Sequence, residues 1–564
     1  MSIRIALDKP QEFYTNLDEI SGQVILGLNR VETIGNVVVK LEGDSRTALK
    51  TPDLDGRVNK YDSNGVVTES HKLLYRLQQV FPTPNTPMNG PGGSSVFNPG
   101  QHAFRFNFKM PLNNICHDPK AMSSLIGVGG MLAPGQSGML GLGGFRTMDG
   151  TRQLMLQHVK STLPPSLTGF HAQAEIRYYI KVTIQRPGFF KENWRFQIGF
   201  KFLPLEPPRP ALTAQEAFAR RPFAFTPRTP HPAKRHSFFG IGGKSKNKDP
   251  AEPGPVEGEK QEPPTIEVSA RLPHPAILTC NENIPLRILA KKAAPVNEQV
   301  YLVGLEVVLL GYTNVRVSTL YHTETSKWTV VTQQNLKVPL GKPEDEVGSE
   351  FEVPNNLWAG QALPNTVAPS FKACNIERRY ELEVHLALSW GLPGVKGATA
   401  FPQLLRLPLK LSNVAVFSGI KPPPELLQAA TAAAAATTTT GKPKPPALPP
   451  RASQVGLNSQ FQSSQQRPGR PTHTNTFPAA DGRPPPLPTA AGRPTQVHDP
   501  LYPPQLGPGN VLPADDAPPS YDEAMAATAS APSTEDRPAY SGVTDPNAPS
   551  SIPENDGTEK RGWH

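Results

Sequence analysis

The residues of this 564-residue chain with the most specific chemistry form a proline-tyrosine motif near its C-terminus. Pro518, Pro519 and Tyr521 make a complete Pro-Pro-x-Tyr. Consecutive prolines favour the polyproline II helix, whose rings pack into an aromatic groove such as that of a WW domain. The tyrosine ring would fill the neighbouring slot. These three residues are therefore the predicted WW-domain ligand, with a chance match in proline-rich sequence as the alternative.

Two partial copies flank this motif. Pro500 and Tyr502, and likewise Pro538 and Tyr540, keep the pattern Pro-x-Tyr, and the three tyrosines are spaced 19 residues apart. Several weak ligands on one chain can engage several WW domains of one partner and raise avidity. The two copies are therefore predicted secondary WW ligands, and inert copies are the alternative.

A different polyproline motif lies further upstream. Pro446, Pro449 and Arg451 fit Pro-x-x-Pro-x-Arg, in which the arginine pairs with acidic residues of an SH3 domain. SH3 proteins are therefore candidate partners, and a rigid spacer is the alternative.

A basic segment, 219–248, carries eight Lys and Arg side chains and no acid. Thr226 and Thr229 precede prolines and Ser237 follows cations, so phosphorylation at these candidate sites would add negative charge to basic sequence. Four phenylalanines lie among the same cations: Phe223, Phe225, Phe238 and Phe239. Weak contact with an anionic membrane surface is therefore a further prediction. A plain solvated linker is the alternative.

The sequence does not indicate a catalytic, cofactor or metal site. Residues 240–245 lack the first glycine of a phosphate loop, because that position is Phe238, and no strand pattern precedes them. Cys116 adjoins His117, but sequence neighbours rarely form a thiol–imidazole pair. The chain has three cysteines: Cys116, Cys280 and Cys374. They are too few and too scattered to predict a disulfide framework or a four-ligand zinc site. We expect a protein that is not an enzyme, with no cofactor and reduced thiols.

Alternating apolar and polar residues predict the elements that position these motifs. In 175–184, Ile176, Tyr178 and Ile180 share one face of a strand, and Arg177 and Lys181 share the other. This period of two is typical of half-buried strands in antiparallel sandwiches. The fold class is therefore predicted to be all-β.

Strand patterns and proline content together predict the domain organisation. Proline fixes φ and lacks a backbone donor, so the 66 prolines of the chain must concentrate outside packed sheets. We predict two antiparallel β-sandwich domains over 1–205 and 265–418. A flexible basic linker over 206–264 would join them, and a disordered proline-rich tail would occupy 419–564.

Charge and hydropathy bound the partners and the location. The net charge of +9 comes mostly from the basic segment, while 499–564 holds eleven acids against three bases. Charge segregated in this way describes linkers and tails, so nucleic acid is not an expected partner. The first ten residues lack the apolar core of a signal peptide and no stretch approaches 18 uncharged apolar residues. We expect a cytosolic protein.

A coarse repeat suggests that the two β regions arose by duplication. Leu163-Pro164 precedes Tyr179 by 16 residues, and Leu363-Pro364 precedes Tyr380 by 17. Each tyrosine falls in an alternating strand pattern.

The order of these parts resembles the arrestin-domain family, and specifically the fungal α-arrestins, or arrestin-related trafficking adaptors. The segments that carry the likeness are 13–14, 20–24, 39–43, 163–167, 176–178, 374–376 and 380–382, followed by the Pro-Pro-x-Tyr motif. The basic linker and the 111–160 loop are longer than in a compact arrestin.

The resemblance implies an adaptor. In such proteins the arrestin body recognises a membrane transporter or receptor, and Pro-Pro-x-Tyr recruits the WW domains of a Nedd4-type HECT ubiquitin ligase. The cargo is then ubiquitinated and endocytosed. By this likeness Pro518, Pro519 and Tyr521 would hold the ligase, at the plasma membrane and on endosomes. An arrestin-like scaffold for a membrane sensor, such as a fungal ambient-pH pathway, and a coat subunit are the alternatives.

Overall fold

The computed structural model describes residues 1–50, 65–83, 94–116, 156–170, 173–188, 191–227, 263–295, 298–391 and 403–428. Toward the C-terminus it describes 525–526, 528–535, 537–540, 542 and 545–552. These C-terminal residues are called the C-terminal segment below. None of the helices in these ranges has the length and apolar composition needed to cross a membrane.

The first half of the described chain folds into antiparallel sheets. Its strands are β1 (Ser2–Leu7), β2 (Glu19–Leu28), β3 (Glu32–Ile34), β4 (Asn36–Lys50), β5 (Val66–Phe81), β6 (Ser95–Phe97), β7 (Gly100–Lys109), β8 (Leu167–Phe170), β9 (Ala174–Gln185) and β10 (Trp194–Phe200). The main sheet has the order β10-β9-β4-β5, with β8 paired to β9. A second sheet has the order β1-β2-β7, and β3 pairs with β6.

Strand β9 illustrates why this sequence forms sheets. Ile176, Tyr178 and Ile180 are almost completely buried, whereas Arg177 and Lys181 are half-buried on the opposite face. Because alternate side chains of a strand point to opposite faces, one face of β9 joins the apolar core and the other stays polar. The predicted strand is confirmed, and so is the all-β fold class.

The second half repeats this organisation around its own apolar core. Its strands are β11 (Glu216–Ala224), β12 (Thr265–Pro273), β13 (Ile277–Thr279), β14 (Arg287–Lys292), β15 (Val300–Val317), β16 (Leu320–Pro339), β17 (Glu350–Glu352), β18 (Phe371–Lys372), β19 (Ile376–Trp390) and β20 (Gln403–Phe417). One sheet has the order β11-β12-β14-β17 and the other β13-β20-β19-β15-β16, with β18 paired to β19. A 3₁₀ turn spans Asn355–Leu357, and 424–428 form a helical turn.

The main sheets of the two halves correspond strand by strand. The order β10-β9-β4-β5 matches β20-β19-β15-β16, and β8 lies on β9 as β18 lies on β19. Tyr178 and Tyr380 are buried on the matching strands β9 and β19, and their hydroxyls donate to the carbonyls of Pro164 and Ala368. The equivalent of Tyr380 is therefore Tyr178. The repeat in the sequence had paired Tyr380 with Tyr179, which is one residue further along β9. This correspondence supports the duplication.

The prediction of a flexible linker over 206–264 is wrong for β11. This strand pairs with β12 along its whole length and forms the edge of its sheet. An edge strand tolerates Pro222, because one side of it needs no ladder hydrogen bonds. Phe223 and Phe225 are buried in the second core, so these two rings are not available to a membrane surface as predicted. Residues 228–262 lie outside the described residues.

The two halves meet through a buried polar contact beside continuous apolar packing. The Ser45 hydroxyl donates to Asn375 Oδ1 over 2.6 Å, and Asn375 Nδ2 donates to the Thr47 hydroxyl over 3.1 Å. Val315 and Ile376 of the second half belong to the first apolar core. Buried polar groups that find partners fix relative orientation, so this contact holds the two sandwiches in one arrangement.

A buried charge cluster connects the three neighbouring strands β4, β5 and β9. Lys72 Nζ lies 2.6 Å from Glu42 Oε2 and 2.5 Å from Asp44 Oδ1, and its side chain is 2% exposed. The Tyr179 hydroxyl donates to Asp44 Oδ2 over 2.6 Å. Burial alone would raise the pKa of Asp44, but Lys72 and Arg46 outweigh it and lower that pKa to about 2. The pKa of Lys72 is raised because the two carboxylates outweigh its burial.

We expect the stability of the first half to fall steeply in acid. The pKa of Asp44 drops on folding from its ordinary 3.8 to about 2, so its ionised form contributes stability above pH 4 that is lost as the pH falls towards 2. The lowered pKa of Glu42 acts in the same direction. Urea unfolding at several pH values between about 2 and 7 measures this loss. Stability that stays constant down to pH 2 would contradict an ionised Asp44 in the folded protein.

Candidate functional site

The C-terminal segment packs against the first sandwich. The described residues between 525 and 552 belong to the same compact unit as those between 1 and 428. Tyr540 is only 8% exposed, and its ring centroid lies 6.1 Å from that of Phe13 in an edge-to-face contact. Leu17, Leu205 and Ile420 belong to the same apolar cluster. Burial of an aromatic ring in such a cluster stabilises a docked segment.

An ion pair fixes the segment next to this cluster. Arg537 Nη2 lies 2.5 Å from Asp18 Oδ1, Arg537 Nη1 lies 2.9 Å from Asp18 Oδ2, and both side chains are about 95% buried. Arg537 Nη1 also donates to Gln11 Oε1 over 2.9 Å, and Asp18 accepts from the Thr15 amide over 2.7 Å. Two-point pairing between a guanidinium and a carboxylate is strong and geometrically specific. This pair therefore determines where the segment binds.

The end of the segment lies across β9 and β10. The Gly199 amide donates to Asn547 Oδ1 over 2.9 Å, and Arg177 Nη2 donates to the Pro546 carbonyl over 3.1 Å. The Ser550 hydroxyl donates to Glu175. A Cβ atom at position 199 would lie 1.9 Å from the Pro546 carbonyl oxygen, so this close approach requires glycine.

Replacing Arg537 by alanine is expected to release the C-terminal segment while the sandwich stays folded. Loss of a charged two-point contact weakens docking by about 2 kcal/mol, which increases hydrogen exchange of the amides at 537–552 by about 30-fold. Gly199→Val should give the same result by blocking Pro546. Arg379→Ala removes an exposed ion pair elsewhere and is the control. Unchanged exchange in both test variants would contradict the docked arrangement.

Comparison with known proteins finds a likeness in the first part of the chain. A family model described as "Arrestin (or S-antigen), N-terminal domain" matches residues 3–121. Over these residues the chain is similar to the N-terminal domain of arrestins. Arrestin-related trafficking adapter 10 of Lachancea thermotolerans is 32% identical over 138 residues, which are 22% of this chain and 32% of that protein. The match thus spans about a third of this relative.

The structure describes three of the predicted site residues, Thr226, Pro538 and Tyr540. Tyr540, expected as a freely presented WW ligand with Pro538, is instead buried against Phe13. Thr226 is exposed, two residues after the end of β11. The other predicted residues lie outside the described residues: Pro446, Pro449, Arg451, Pro500, Tyr502, Pro518, Pro519, Tyr521, Thr229 and Ser237.

Sequence reasoning missed the residues that dock the C-terminal segment. Asp18 and Arg537 are 519 positions apart, and neither belongs to a recognisable motif. The sequence did hold one signal, because Tyr540 lies three residues after Arg537 in an otherwise polar tail. An aromatic ring close to a single cation in such a tail is a candidate anchor to a folded domain.

Proposed function

We propose that this arrestin-domain protein is an adaptor that brings a Nedd4-type HECT ubiquitin ligase to membrane cargo. Pro518, Pro519 and Tyr521 bind the WW domains of the ligase. The arrestin body binds the cytosolic part of a plasma-membrane transporter or receptor, which is then ubiquitinated and endocytosed. The protein acts by binding rather than by catalysis, in the cytoplasm and at the surfaces of the plasma membrane and endosomes.

The observation that carries this proposal is the presence of Pro-Pro-x-Tyr on the same chain as an arrestin N-terminal domain. A family fold alone does not give a function, since folds host many functions. The motif supplies the missing chemistry, because a polyproline ligand followed by tyrosine fits the groove of a WW domain. The similar protein named as a trafficking adapter supports the same role.

Tethering is the mechanism. A ligase held on the tail and a cargo held on the body belong to one complex, so the encounter of ligase and cargo lysines becomes intramolecular. The effective concentration reaches about the millimolar range for a linker that spans the sites. No catalytic group of the adaptor is needed for this gain.

Docking of the C-terminal segment limits which Pro-x-Tyr copies can bind. Tyr540 is buried, so a WW domain can take it only after Arg537 leaves Asp18. The ligase contact at Tyr521 is therefore primary, and Tyr540 contributes to avidity only when the segment is released.

Reconstituted ubiquitination tests this role. The full-length protein is incubated with a Nedd4-type ligase and its E1, E2 and ubiquitin, and ubiquitin transfer to the adaptor is followed by mass spectrometry. Tyr521→Ala should abolish most of the transfer, whereas Tyr321→Ala, which removes a ring 73% exposed on the body, should not. Equal modification of both variants would overturn the proposal and favour the scaffold for a membrane sensor.

A further inference from the structure

Four side chains with metal-binding atoms meet where the two arrestin sandwiches join. They are His71 on β5, Cys116 after β7, His158 before β8, and Cys374 between β18 and β19. Their ligand atoms all lie within 4.8 Å of one another. Three of the side chains are buried and His158 is half-buried. The fold thus brings together two cysteines that are far apart in the sequence, since 258 positions separate Cys116 from Cys374.

The spacing of these atoms suits a tetrahedral metal. Zn–S bonds of about 2.3 Å and Zn–N bonds of about 2.0 Å place tetrahedral ligand atoms about 3.3–3.8 Å apart. The two sulfurs lie 3.3 Å apart, and Cys374 Sγ lies 3.9 Å from His158 Nδ1. Side-chain movements of about 1 Å or less therefore bring all four atoms to zinc-binding distances.

A hydrogen bond to Glu69 orients His71 as a ligand. Its Nε2 lies 2.6 Å from Glu69 Oε1, and its buried Nδ1 makes no hydrogen bond within the described residues. Because an ionised carboxylate only accepts, Nε2 carries the proton in the neutral ring and Nδ1 keeps its lone pair. A carboxylate–histidine pair of this kind accompanies most metal-bound histidines. Glu69 is held in turn by Arg316 over 2.9 Å and by the Ser318 amide over 2.5 Å.

Donors also point at both sulfurs. Asn114 Nδ2 donates to Cys116 Sγ over 3.3 Å, and the Val159 amide donates to Cys374 Sγ over 3.4 Å. Donors of this kind stabilise thiolates, which are the form of cysteine that binds metals.

We propose that these four residues form a structural zinc site that joins the N-terminal arrestin sandwich to the C-terminal one. Two thiolates neutralise the charge of Zn²⁺, and two neutral imidazoles complete the tetrahedron. A filled coordination shell leaves no position for substrate, so the site is structural. Binding releases to solvent any protons that the thiols and imidazoles carry beforehand. Cys374 comes from the second sandwich and the other ligands from the first, so the metal ties the two together.

A disulfide is the other chemistry that two close cysteines offer. The sulfurs would have to approach from 3.3 Å to about 2.05 Å, with loss of two electrons to an oxidant. A disulfide uses neither histidine and leaves Nδ1 of His71 buried without a partner. The two histidines therefore favour metal.

Metal analysis of the full-length protein tests the site. The protein is purified in reducing buffer with its affinity tag removed, given an equivalent of ZnSO₄, and desalted. We expect close to one zinc per chain by mass spectrometry, and the thiolate charge-transfer and intense visible bands of a tetrahedral site after exchange with Co²⁺. A strong chelator should lower the Tm by on the order of 5 °C, because the metal binds only the folded chain.

Matched variants keep the test independent of folding and of ligase binding. Cys116→Ser and Cys374→Ser should lose zinc, whereas Cys280→Ser should retain it, because that buried thiol donates to the Val367 carbonyl away from the cluster. His158→Gln alters a half-buried side chain and should lose zinc while the sheets remain intact by circular dichroism. Wild-type protein that binds no zinc, with or without a Cys116–Cys374 disulfide, would overturn the proposal. Equal zinc loss in Cys280→Ser would also overturn it.

Discussion

Replacing Lys72 by methionine is expected to lower the free energy of unfolding of the first sandwich by about 3–5 kcal/mol. The change removes the cation that lies 2.6 Å from Glu42 and 2.5 Å from Asp44. Both carboxylates are almost completely buried, so water cannot replace the lost partner. Removing one member of a buried ion pair is costly because the other stays charged in a medium that solvates it poorly.

Urea unfolding monitored by circular dichroism and fluorescence measures this loss. Lys327→Met is the matched control, because Lys327 is 57% exposed and lies 3.8 Å from Glu306, and an exposed pair contributes less than about 1 kcal/mol. Adding Glu42→Gln and Asp44→Asn to Lys72→Met should restore part of the stability, since neutral amides no longer need a cation. Equal effects of Lys72→Met and Lys327→Met would show that the cluster is not buried.

The second large effect is expected at Tyr521, in the binding of WW domains. A central aromatic anchor contributes at least about 2 kcal/mol, so Tyr521→Ala should weaken binding by about 30-fold or more. The Tm of the body should stay unchanged, because the ring is proposed to fill the WW groove rather than to pack in the sandwiches. A fall in Tm would instead mean that Tyr521 packs against the body.

The sequence predicted the sandwiches well where one face of a strand is apolar. In β9 the burial of Ile176, Tyr178 and Ile180 follows directly from alternation. β11 was missed because Arg220, Arg221 and Pro222 suggest a solvated linker, and the strand is held mainly by backbone pairing with β12. An edge strand that is held by backbone hydrogen bonds to a strand distant in sequence needs little apolar alternation, so its sequence shows little strand pattern.

The docked segment and the cysteine–histidine cluster could not be predicted for a different reason. Each depends on residues that the fold brings together from far apart in the chain, such as Asp18 with Arg537 and Cys116 with Cys374. Spacing rules recognise metal ligands only when they are close in sequence. The WW-ligand motif is the opposite case, because a linear peptide carries all of its binding chemistry in consecutive residues.

Titration of the full-length protein with the WW domains of a Nedd4-type ligase tests the adaptor proposal most directly. We expect calorimetry to give a dissociation constant of about 1 μM for the wild type, near −8 kcal/mol. Tyr521→Ala should abolish most of this binding, and Tyr321→Ala should leave it intact. Wild-type affinity in the Tyr521→Ala variant, or no binding by the wild type, would contradict the proposal that this protein recruits a ligase through Pro518, Pro519 and Tyr521.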